Sequence, residues 1–414
     1  MKSPWGLAAA LIVLAVGASA AEWTWEQCVA QAGAANPDLA SGRLLRDQAR
    51  QNAWKSVNGL LPAASLSNSW EDSKGAGGAS RWNAGLGASL SLSLDAVSDM
   101  RSASASLRVS EANLRKASAD LRLQLRRAFT RLHAAQQALA ASEKIKALRL
   151  HDSELVDLRY QSGRESKGNR LRAKVQLASA DAELAQARRE LRLSRRELLR
   201  RLGREDFEEL TAAGAVKARA LPPPPDDPAV LLSLRPEIAA AQASVDVRRA
   251  DRLAARSAFF PSFSAGYSRT RSGPTEFPSA RYSWAASATV SYPLFGSGPT
   301  ASLHAVQSAN LGLEAAQRQL ESARQAGLLD VESAWADYAS AVEQQEIALL
   351  RLDAARQRND EADVRYASGL LSFDLWEPIV NERVEAERSA IGVVKTAADA
   401  EAAWDRALGR ALGE

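Results

Sequence analysis

The chain has 414 residues, of which 46% are hydrophobic, 25% are charged and only 6% are aromatic, and its formal net charge is +4. A composition rich in Ala, Leu, Arg, Glu and Gln with so few aromatic residues predicts long helices that pack along seams, and it argues against a single globular core. Basic and acidic residues are interleaved, with no basic stripe beside stacking aromatic residues. This pattern argues against nucleic-acid binding.

The first 20 residues have the features of a secretory signal peptide. Lys2 precedes an apolar stretch at residues 7–16, and small residues stand at Ala18 and Ala20, which predicts cleavage after Ala20. Cys28 is the only cysteine, so we expect neither a disulfide nor a lipid anchor, but a half-buried helix residue. No later apolar run reaches the roughly 18 residues of a spanning helix, so the exported chain is expected to be periplasmic, secreted or inserted in an outer membrane as strands.

Two kinds of proline junction occur twice in the chain. Asn36-Pro37 and Arg235-Pro236 each restart a helix, whereas Leu61-Pro62 and Phe260-Pro261 each end one. Both pairs of prolines are 199 residues apart (236 − 37 and 261 − 62). Because proline suits the first position of a helix or a strand but not a helix interior, the second pair predicts helix-to-strand junctions.

After each helix-to-strand junction the apolar period changes from about 3.6 to 2, which indicates strands with one apolar face. Residues 81–94 and 282–294 show this alternation, and partner strands at 66–70 and 263–267 complete β-hairpins at about 62–95 and 261–295. Aromatic residues near the strand ends are typical of the girdle of an outer-membrane protein. These residues are Trp70, Trp82, Tyr267, Tyr282 and Trp284.

The four strands match outer-membrane strands in length and alternation, and a soluble β-layer packed on the helices is the alternative. Four strands cannot close a barrel, yet every strand edge in lipid must be paired. The sequence therefore predicts a membrane part shared between subunits, with twelve strands from three copies.

Residues 98–160 and 299–366 favour helix without interruption. At 1.5 Å per residue each helix would be about 90 to 100 Å long, which is too long for a compact domain. Apolar residues recur every seven positions, which predicts coiled-coil seams. The two series are Leu107, Leu114, Leu121, Ala128 and Ala135, and Leu177, Leu184, Leu191 and Leu198.

One Tyr-x-x-Gly turn joins each of the two long helices to a shorter returning helix. Tyr160 and Gly163 belong to the first turn, and Tyr366 and Gly369 to the second, 206 residues later (366 − 160). The fixed offset indicates an internal duplication. We predict a first repeat at 21–202, a Pro-rich connector at 203–228 and a second repeat at 229–414, with hairpin tips at about 160–170 and 366–377.

The order of these elements resembles the TolC-like outer-membrane factors of Gram-negative efflux pumps and type I secretion systems. A leader, Asn-Pro-Asp-Leu at 36–39, and two copies of helix, proline, strand hairpin, long helix, Tyr-x-x-Gly turn and returning helix carry the resemblance. It implies a mainly α fold with a small β part. A homotrimer would form a twelve-stranded β-barrel in the outer membrane and an α-barrel of twelve helices through the periplasm.

The resemblance also implies a passive exit duct without cofactors. Its periplasmic tips would dock onto an adaptor protein that is coupled to an inner-membrane transporter. The family often has acidic residues lining the closed mouth, and Asp374 and Glu377 occupy that part of the second tip. Three copies would form a ring that attracts cations, whereas the plainer alternative is a helix cap and a surface charge.

The first tip departs from the acidic pattern, because residues 163–172 are strongly basic. We predict that Arg164, Lys167 or Arg170 pairs with Asp374 or Glu377 across neighbouring hairpins and holds the mouth shut. Such pairs would join two tips that are alike in backbone and unlike in charge.

The sequence shows no pattern of catalytic or metal-binding residues. His133, His151 and His304 lie far apart without Cys or carboxylate at ligand spacing, and nucleotide-binding loops and nucleophile elbows are absent. We therefore expect neither an enzyme nor a metal protein. The alternative to a duct is a periplasmic coiled-coil adaptor or scaffold without a membrane barrel.

Overall fold

The computed structural model describes residues 21–72, 80–205, 209–214, 218–219, 232, 234–279, 281–293 and 300–413. The predicted signal peptide and the proline run of the predicted connector lie outside the described residues. Within the described ranges, the second copy repeats most of the helices and strands of the first in the same order.

The first copy contains β1 (Ala21–Trp23), α1 (Trp25–Ala35), α2 (Pro37–Val57), β2 (Ala63–Glu71), β3 (Arg81–Leu92), α3 (Leu94–Gln161) and α4 (Lys167–Leu202). After it come β4 (Leu210–Ala212), α5 (Pro236–Ser257), β5 (Ser262–Gly273), β6 (Ser283–Ser291), α6 (Ala301–Ala367) and α7 (Phe373–Ala407). The long helices have 68 and 67 residues and the returning helices 36 and 35, so the two helical hairpins match in size. Each long helix spans about 100 Å.

The predicted helices and strands are present, and their boundaries differ by a few residues from those in the structure. The helix α3 begins at Leu94 rather than residue 98, because the Ser93 side chain accepts a hydrogen bond from the backbone N–H of Ala96 at 3.3 Å and caps the helix. The predicted strand at 81–94 correspondingly ends at Leu92, and that at 282–294 ends at Ser291.

The four long strands form one antiparallel sheet in the order β2-β3-β5-β6, so the hairpins of the two copies pair directly through β3 and β5. Trp70 lies opposite Trp82, and Arg269 lies opposite Leu86 on one side and Trp284 on the other. Among the described residues, β2 and β6 have no further strand beside them. Both edges of the sheet are therefore unpaired within the described part of one chain.

The shorter helices meet end to end in two pairs, α4 with α2 and α7 with α5, beside the long helices. The end of α4 abuts the start of α2, where the Asn36 side-chain amide donates to the carbonyl of Arg201 at 2.9 Å. Gly203 adopts a φ of 72°, and a Cβ there would clash with the carbonyl oxygen of Ala35. Gly409 stands at the equivalent joint of α7 and α5, with a φ of 76°, and a Cβ there would lie 2.9 Å from the Leu234 carbonyl oxygen. Only glycine fits these two close approaches.

The predicted seven-residue seams are buried along the middle and lower parts of the first helical hairpin. Leu107 and Leu114 at the upper end of α3 are only partly buried. The fully buried members of the two predicted series are Leu121, Ala128, Ala135, Leu184, Leu191 and Leu198. The coiled-coil prediction for this hairpin is therefore confirmed, with its tightest packing below the helix joints.

The strands β1 and β4 pair in parallel beside the joint of α4 and α2. Cys28 packs there against Leu125, Phe129 and Leu202 and is completely buried, so the expectation of a half-buried cysteine is wrong. Burial raises the pKa of its thiol to about 12, which keeps the thiol protonated and unreactive at neutral pH.

Candidate functional site

The first hairpin tip contains a trio of side chains around Tyr160. Arg170, on the returning helix, donates a hydrogen bond from Nε to the Asp157 carboxylate on the long helix. The same guanidinium lies over the Tyr160 ring, 4.9 Å from its centroid. The trio therefore joins the two helices on either side of the turn through an ion pair and a cation–π contact.

The second tip repeats this arrangement with different chemistry. Trp376 donates from Nε1 to Oδ1 of Asp363 at 2.7 Å and stacks on the ring of Tyr366, with centroids 4.3 Å apart and planes 7° apart. Each member of this trio lies 206 positions after its counterpart in the first tip. Tryptophan thus replaces arginine as the group that covers the tyrosine and binds the carboxylate.

Tyr366 also connects the second tip to the first through contacts with residues of the first hairpin. Its ring is fully buried, and the guanidinium of Arg159 lies 4.6 Å from the ring centroid and donates to the Tyr366 carbonyl at 2.6 Å. The Tyr366 hydroxyl donates to Oε2 of Glu165 at 3.1 Å. Burial, with the nearby Glu165 carboxylate, raises the pKa of the hydroxyl, so it remains a donor at physiological pH. Arg159 and Glu165 belong to the first hairpin, so one tyrosine holds both tips together.

A second connection between the tips is made by ion pairs. Arg172 of α4 binds Oδ1 of Asp374 through Nη2 at 2.6 Å and Oε2 of Glu377 through Nη1 at 3.3 Å. The two carboxylates are three residues apart at the start of α7 and therefore face the same side of that helix. The guanidinium also lies 5.1 Å from the centroid of Phe373. A single arginine thus binds both carboxylates of the second tip and offsets one of their two negative charges.

The partners of Asp374 and Glu377 within one chain differ from the predicted ones. Arg170 binds Asp157 instead, because it lies two residues before Arg172 and so points to a different side of α4. Arg164 and Lys167 are exposed, and in the described part of the chain neither forms an ion pair with the acidic tip. The residue that does so, Arg172, lies at the end of the basic stretch.

A buried polar cluster lies about two turns above the tips, between α3, α6 and α7. Arg149 donates to the side-chain oxygen of Asn381 at 2.5 Å, and its Nη1 is 3.8 Å from Oδ2 of Asp152. That oxygen is buried without a hydrogen-bond partner. Burial raises the pKa of Asp152 to about 7, with a further contribution from Asp363, although Arg149 opposes the shift.

At the opposite end of the molecule, the strand register separates an apolar face from a polar face. The polar face carries mostly Ser, Thr and Gly, and it is crowded, since a Cβ at Gly87 would lie 2.9 Å from Oγ of Ser65. The residues predicted to form an aromatic girdle lie on or beside the apolar face. Trp70, Trp82 and Trp284 are near the loop ends of their strands, Tyr267 is closer to the middle, and Tyr282 immediately precedes β6.

Comparison with known proteins assigns the chain to a family. A family model described as outer membrane efflux protein matches residues 28–204 and 228–408. The chain belongs to this family. The two matched segments reproduce the duplication, and a search of curated proteins gives no significant match to this outer membrane efflux protein.

Solved structures share the fold over nearly the whole chain. The MtrE outer membrane channel of Neisseria gonorrhoeae is 24% identical, with a TM-score of 0.83 over 94% of this chain and 89% of MtrE. The CmeC outer membrane channel of Campylobacter jejuni is 16% identical, with a TM-score of 0.83 over 94% and 86% of the chains. The outer membrane protein VceC of Vibrio cholerae is 17% identical, with a TM-score of 0.80 over 93% and 96%.

Family membership confirms the predicted function and location. The protein is an outer membrane efflux protein. The family consists of transport proteins rather than enzymes.

Spanning helices and metal clusters can be assessed in the described residues only. In those ranges, no helix is both long and apolar enough to span a membrane. The same ranges contain no group of three or more His, Cys, Asp or Glu residues placed to hold a metal ion.

Several contacts at the tips were missed by sequence reasoning. Asp157 and Asp363 are separated by the same 206 residues as the two tyrosines, and so are Arg170 and Trp376. Comparing the copies at this offset would have identified both trios. The Asp152 cluster gives no such signal, because its members come from three helices that are far apart in sequence.

Proposed function

We propose that three copies of this protein assemble into one passive duct that carries cargo from the periplasm to the cell exterior. The observation that carries the proposal is the sheet, which has one apolar face, one face of small polar residues and two unpaired edges. Unpaired strand edges are not tolerated in lipid, so each edge needs a strand of another copy. Three four-stranded sheets would supply a closed barrel of twelve strands.

The helical hairpins support the periplasmic half of the proposal. They extend about 100 Å from the sheet, which is far more than the thickness of a membrane, and end in the two joined tips. We infer that these tips dock onto a periplasmic adaptor coupled to an inner-membrane transporter. The duct itself then needs no cofactor, because the transporter supplies the driving force.

The mouth of the duct would lie at the tips and be closed by charge pairs. Arg172, Asp374 and Glu377 are the groups that we assign to this closure within one chain, and the predicted pairs with Arg164, Lys167 or Arg170 remain a prediction for neighbouring hairpins of the trimer. Reversing both acidic charges, as Asp374→Lys with Glu377→Lys, should repel Arg172 and raise the single-channel conductance. Unchanged conductance of a correctly assembled trimer would contradict closure by these pairs.

Planar-bilayer recordings of the purified protein test the duct directly. We expect stable ion-conducting channels, together with a trimer extracted from outer membranes that changes its electrophoretic mobility on heating. Recovery of the protein as a soluble periplasmic component without conductance would contradict the duct and favour the scaffold alternative.

A further inference from the structure

Two arginines stand on the apolar face of the sheet, which otherwise carries no charge in its paired strands. Arg269 lies opposite Leu86 and Trp284, and Arg271 lies opposite Ala84. The other members of this face are apolar or uncharged. They include Leu66, Trp70, Trp82, Ala88, Leu90, Leu92, Phe263, Ala265, Tyr267, Ala286, Ala288 and Val290.

The depth of the two arginines in the proposed membrane region follows from their positions along β5. β5 starts next to α5 and runs away from the helices, so its last residues approach the cell exterior if the proposed duct is correct. At about 3.3 Å per residue and a tilt of about 40°, Arg269 and Arg271 lie roughly 18 and 23 Å above the start of the strand. The apolar band of such proteins is about 25 Å tall, so both side chains reach its outer border.

The surroundings of the arginines fit a lipid interface rather than an internal ion pair. The guanidinium of Arg269 lies 3.5 Å from the centroid of the Tyr282 ring, which holds it against the aromatic surface. Within the described ranges, neither Arg269 nor Arg271 has a carboxylate at ion-pairing distance. Arg81, nearer the loop end of the sheet and on the polar face, has Glu71 at 3.8 Å. Among the described residues, the basic residue on the polar face thus has a carboxylate partner, whereas the two on the apolar face have none.

We propose that Arg269 and Arg271 bind the phosphate groups of a phosphorylated glycolipid, of the lipid A type, in the outer leaflet. The inference rests on the proposed duct, since it takes the apolar face to be the lipid-facing one. Residues two apart in a strand point to the same face and lie about 7 Å apart, so both guanidinium groups can reach one headgroup. Arginine suits this role because its planar fork binds phosphate oxygens in pairs. The aromatic residues beside it provide the surface on which the acyl chains and sugar rest.

The test measures binding of lipid A, and of lipid A without its phosphates, to the detergent-purified trimer by native mass spectrometry. Wild type should prefer the phosphorylated lipid. The double variant Arg269→Gln, Arg271→Gln should bind it about 10- to 100-fold more weakly, the range expected for lost hydrogen bonds to a charged group. The Lys double variant, which keeps the charge but not the planar fork, should bind more weakly than wild type and more tightly than the Gln double variant. Arg81→Gln, nearer the loop end on the polar face, should keep all of the binding.

Equal binding of the two lipids by wild type, or unchanged binding by the Gln double variant, would overturn the lipid site. Conductance in bilayers without phosphorylated glycolipid separates this result from failure of the duct. Channels of normal conductance without a preference for phosphate would reject the lipid site alone. Absence of conductance in wild type would reject the duct on which the site rests.

Discussion

Tyr160 and Tyr366 are equivalent residues of the two copies, but only Tyr366 is fully buried. Tyr160 is partly exposed and touches Arg170, whereas Tyr366 contacts Trp376, Phe373 and Arg159 at once. The first tyrosine therefore supports its own hairpin. The second stabilises both hairpins.

This difference predicts unequal effects of the same substitution. Tyr366→Ala should lower the free energy of unfolding of the tips by about 3 to 5 kcal/mol, because it leaves a cavity among aromatic rings. Tyr160→Ala, the matched control, should have a much smaller effect. Limited proteolysis at the tips, together with the melting temperature of the trimer, measures both. Equal protease sensitivity of the two variants would contradict a joint role for Tyr366.

Asp152 predicts a pH dependence of stability. Its pKa is raised by burial from 3.8 to about 7, so the folded protein holds the proton more tightly than the unfolded chain does. The protonated carboxyl therefore stabilises the folded protein. This stabilisation is fully present below the pKa of Asp152 in the unfolded chain. It is lost, at about 1.4 kcal/mol per pH unit, as the pH rises to the pKa of Asp152 in the folded protein. The ionisable groups that influence Asp152 are Arg149 and His151 of α3, Asp363 of α6 and Arg383 of α7.

Asp152→Asn should remove this dependence, because an amide cannot lose a proton. We expect the variant to be more stable than wild type at about pH 8 and to differ little at about pH 4. Thermal melting across this range is the measurement, and Asp353→Asn, at an exposed position of α6, is the control. A variant whose melting temperature follows the wild-type profile would show that Asp152 does not titrate in this window.

At the scale of secondary-structure elements, the important features are the joints where α4 meets α2 and α7 meets α5. Gly203 and Gly409 let α4 meet α2, and α7 meet α5, so that two short helices extend along one long helix. The carboxyl end of one helix then faces the amino end of the next, which is the favourable direction for the helix dipoles.

Alanine at such a joint should therefore be more harmful than alanine at another positive-φ glycine. Gly163→Ala adds only the left-handed backbone strain of about 1 to 2 kcal/mol, because no atom lies within 4 Å of its Cβ position. Gly203→Ala adds the same strain and a clash with the Ala35 carbonyl oxygen. Denaturant unfolding of both variants compares them, and equal losses of stability would show that the joint is not tightly packed.

The elements could be predicted from the sequence because their signals are local. Prolines 37, 62, 236 and 261 mark junctions that are present in the structure. The change in the spacing of apolar residues, from the helical period to alternation, marks the strands. Arg172 could not be assigned as the partner of Asp374, because that choice depends on how two hairpins from different copies lie against each other. The burial of Cys28 and Asp152 depends on the same long-range packing.

At the scale of the whole molecule, charge is distributed unevenly along the axis. The polar face of the sheet consists of uncharged Ser, Thr, Gly and Asn along most of its length, whereas Arg172, Asp374 and Glu377 concentrate charge at the tips. If the polar face lines the proposed duct, its outer part discriminates little between cations and anions. Ion preference then originates at the mouth.

Removing Arg172 should therefore change both conductance and selectivity of the trimer. Arg172→Ala releases Asp374 and Glu377, so the mouth should open more readily and its exposed carboxylates should attract cations. We expect higher single-channel conductance and a stronger preference for potassium over chloride in planar bilayers. Lys174→Ala is the matched control, since Lys174 is an exposed basic residue on the same helix. Because Arg172 and Asp374 are exposed, high salt should weaken their ion pair and bring the wild-type conductance, normalised to that of the bulk solution, closer to that of the variant. A wild-type channel whose normalised conductance and selectivity match those of Arg172→Ala at low salt would show that the mouth is held by other contacts.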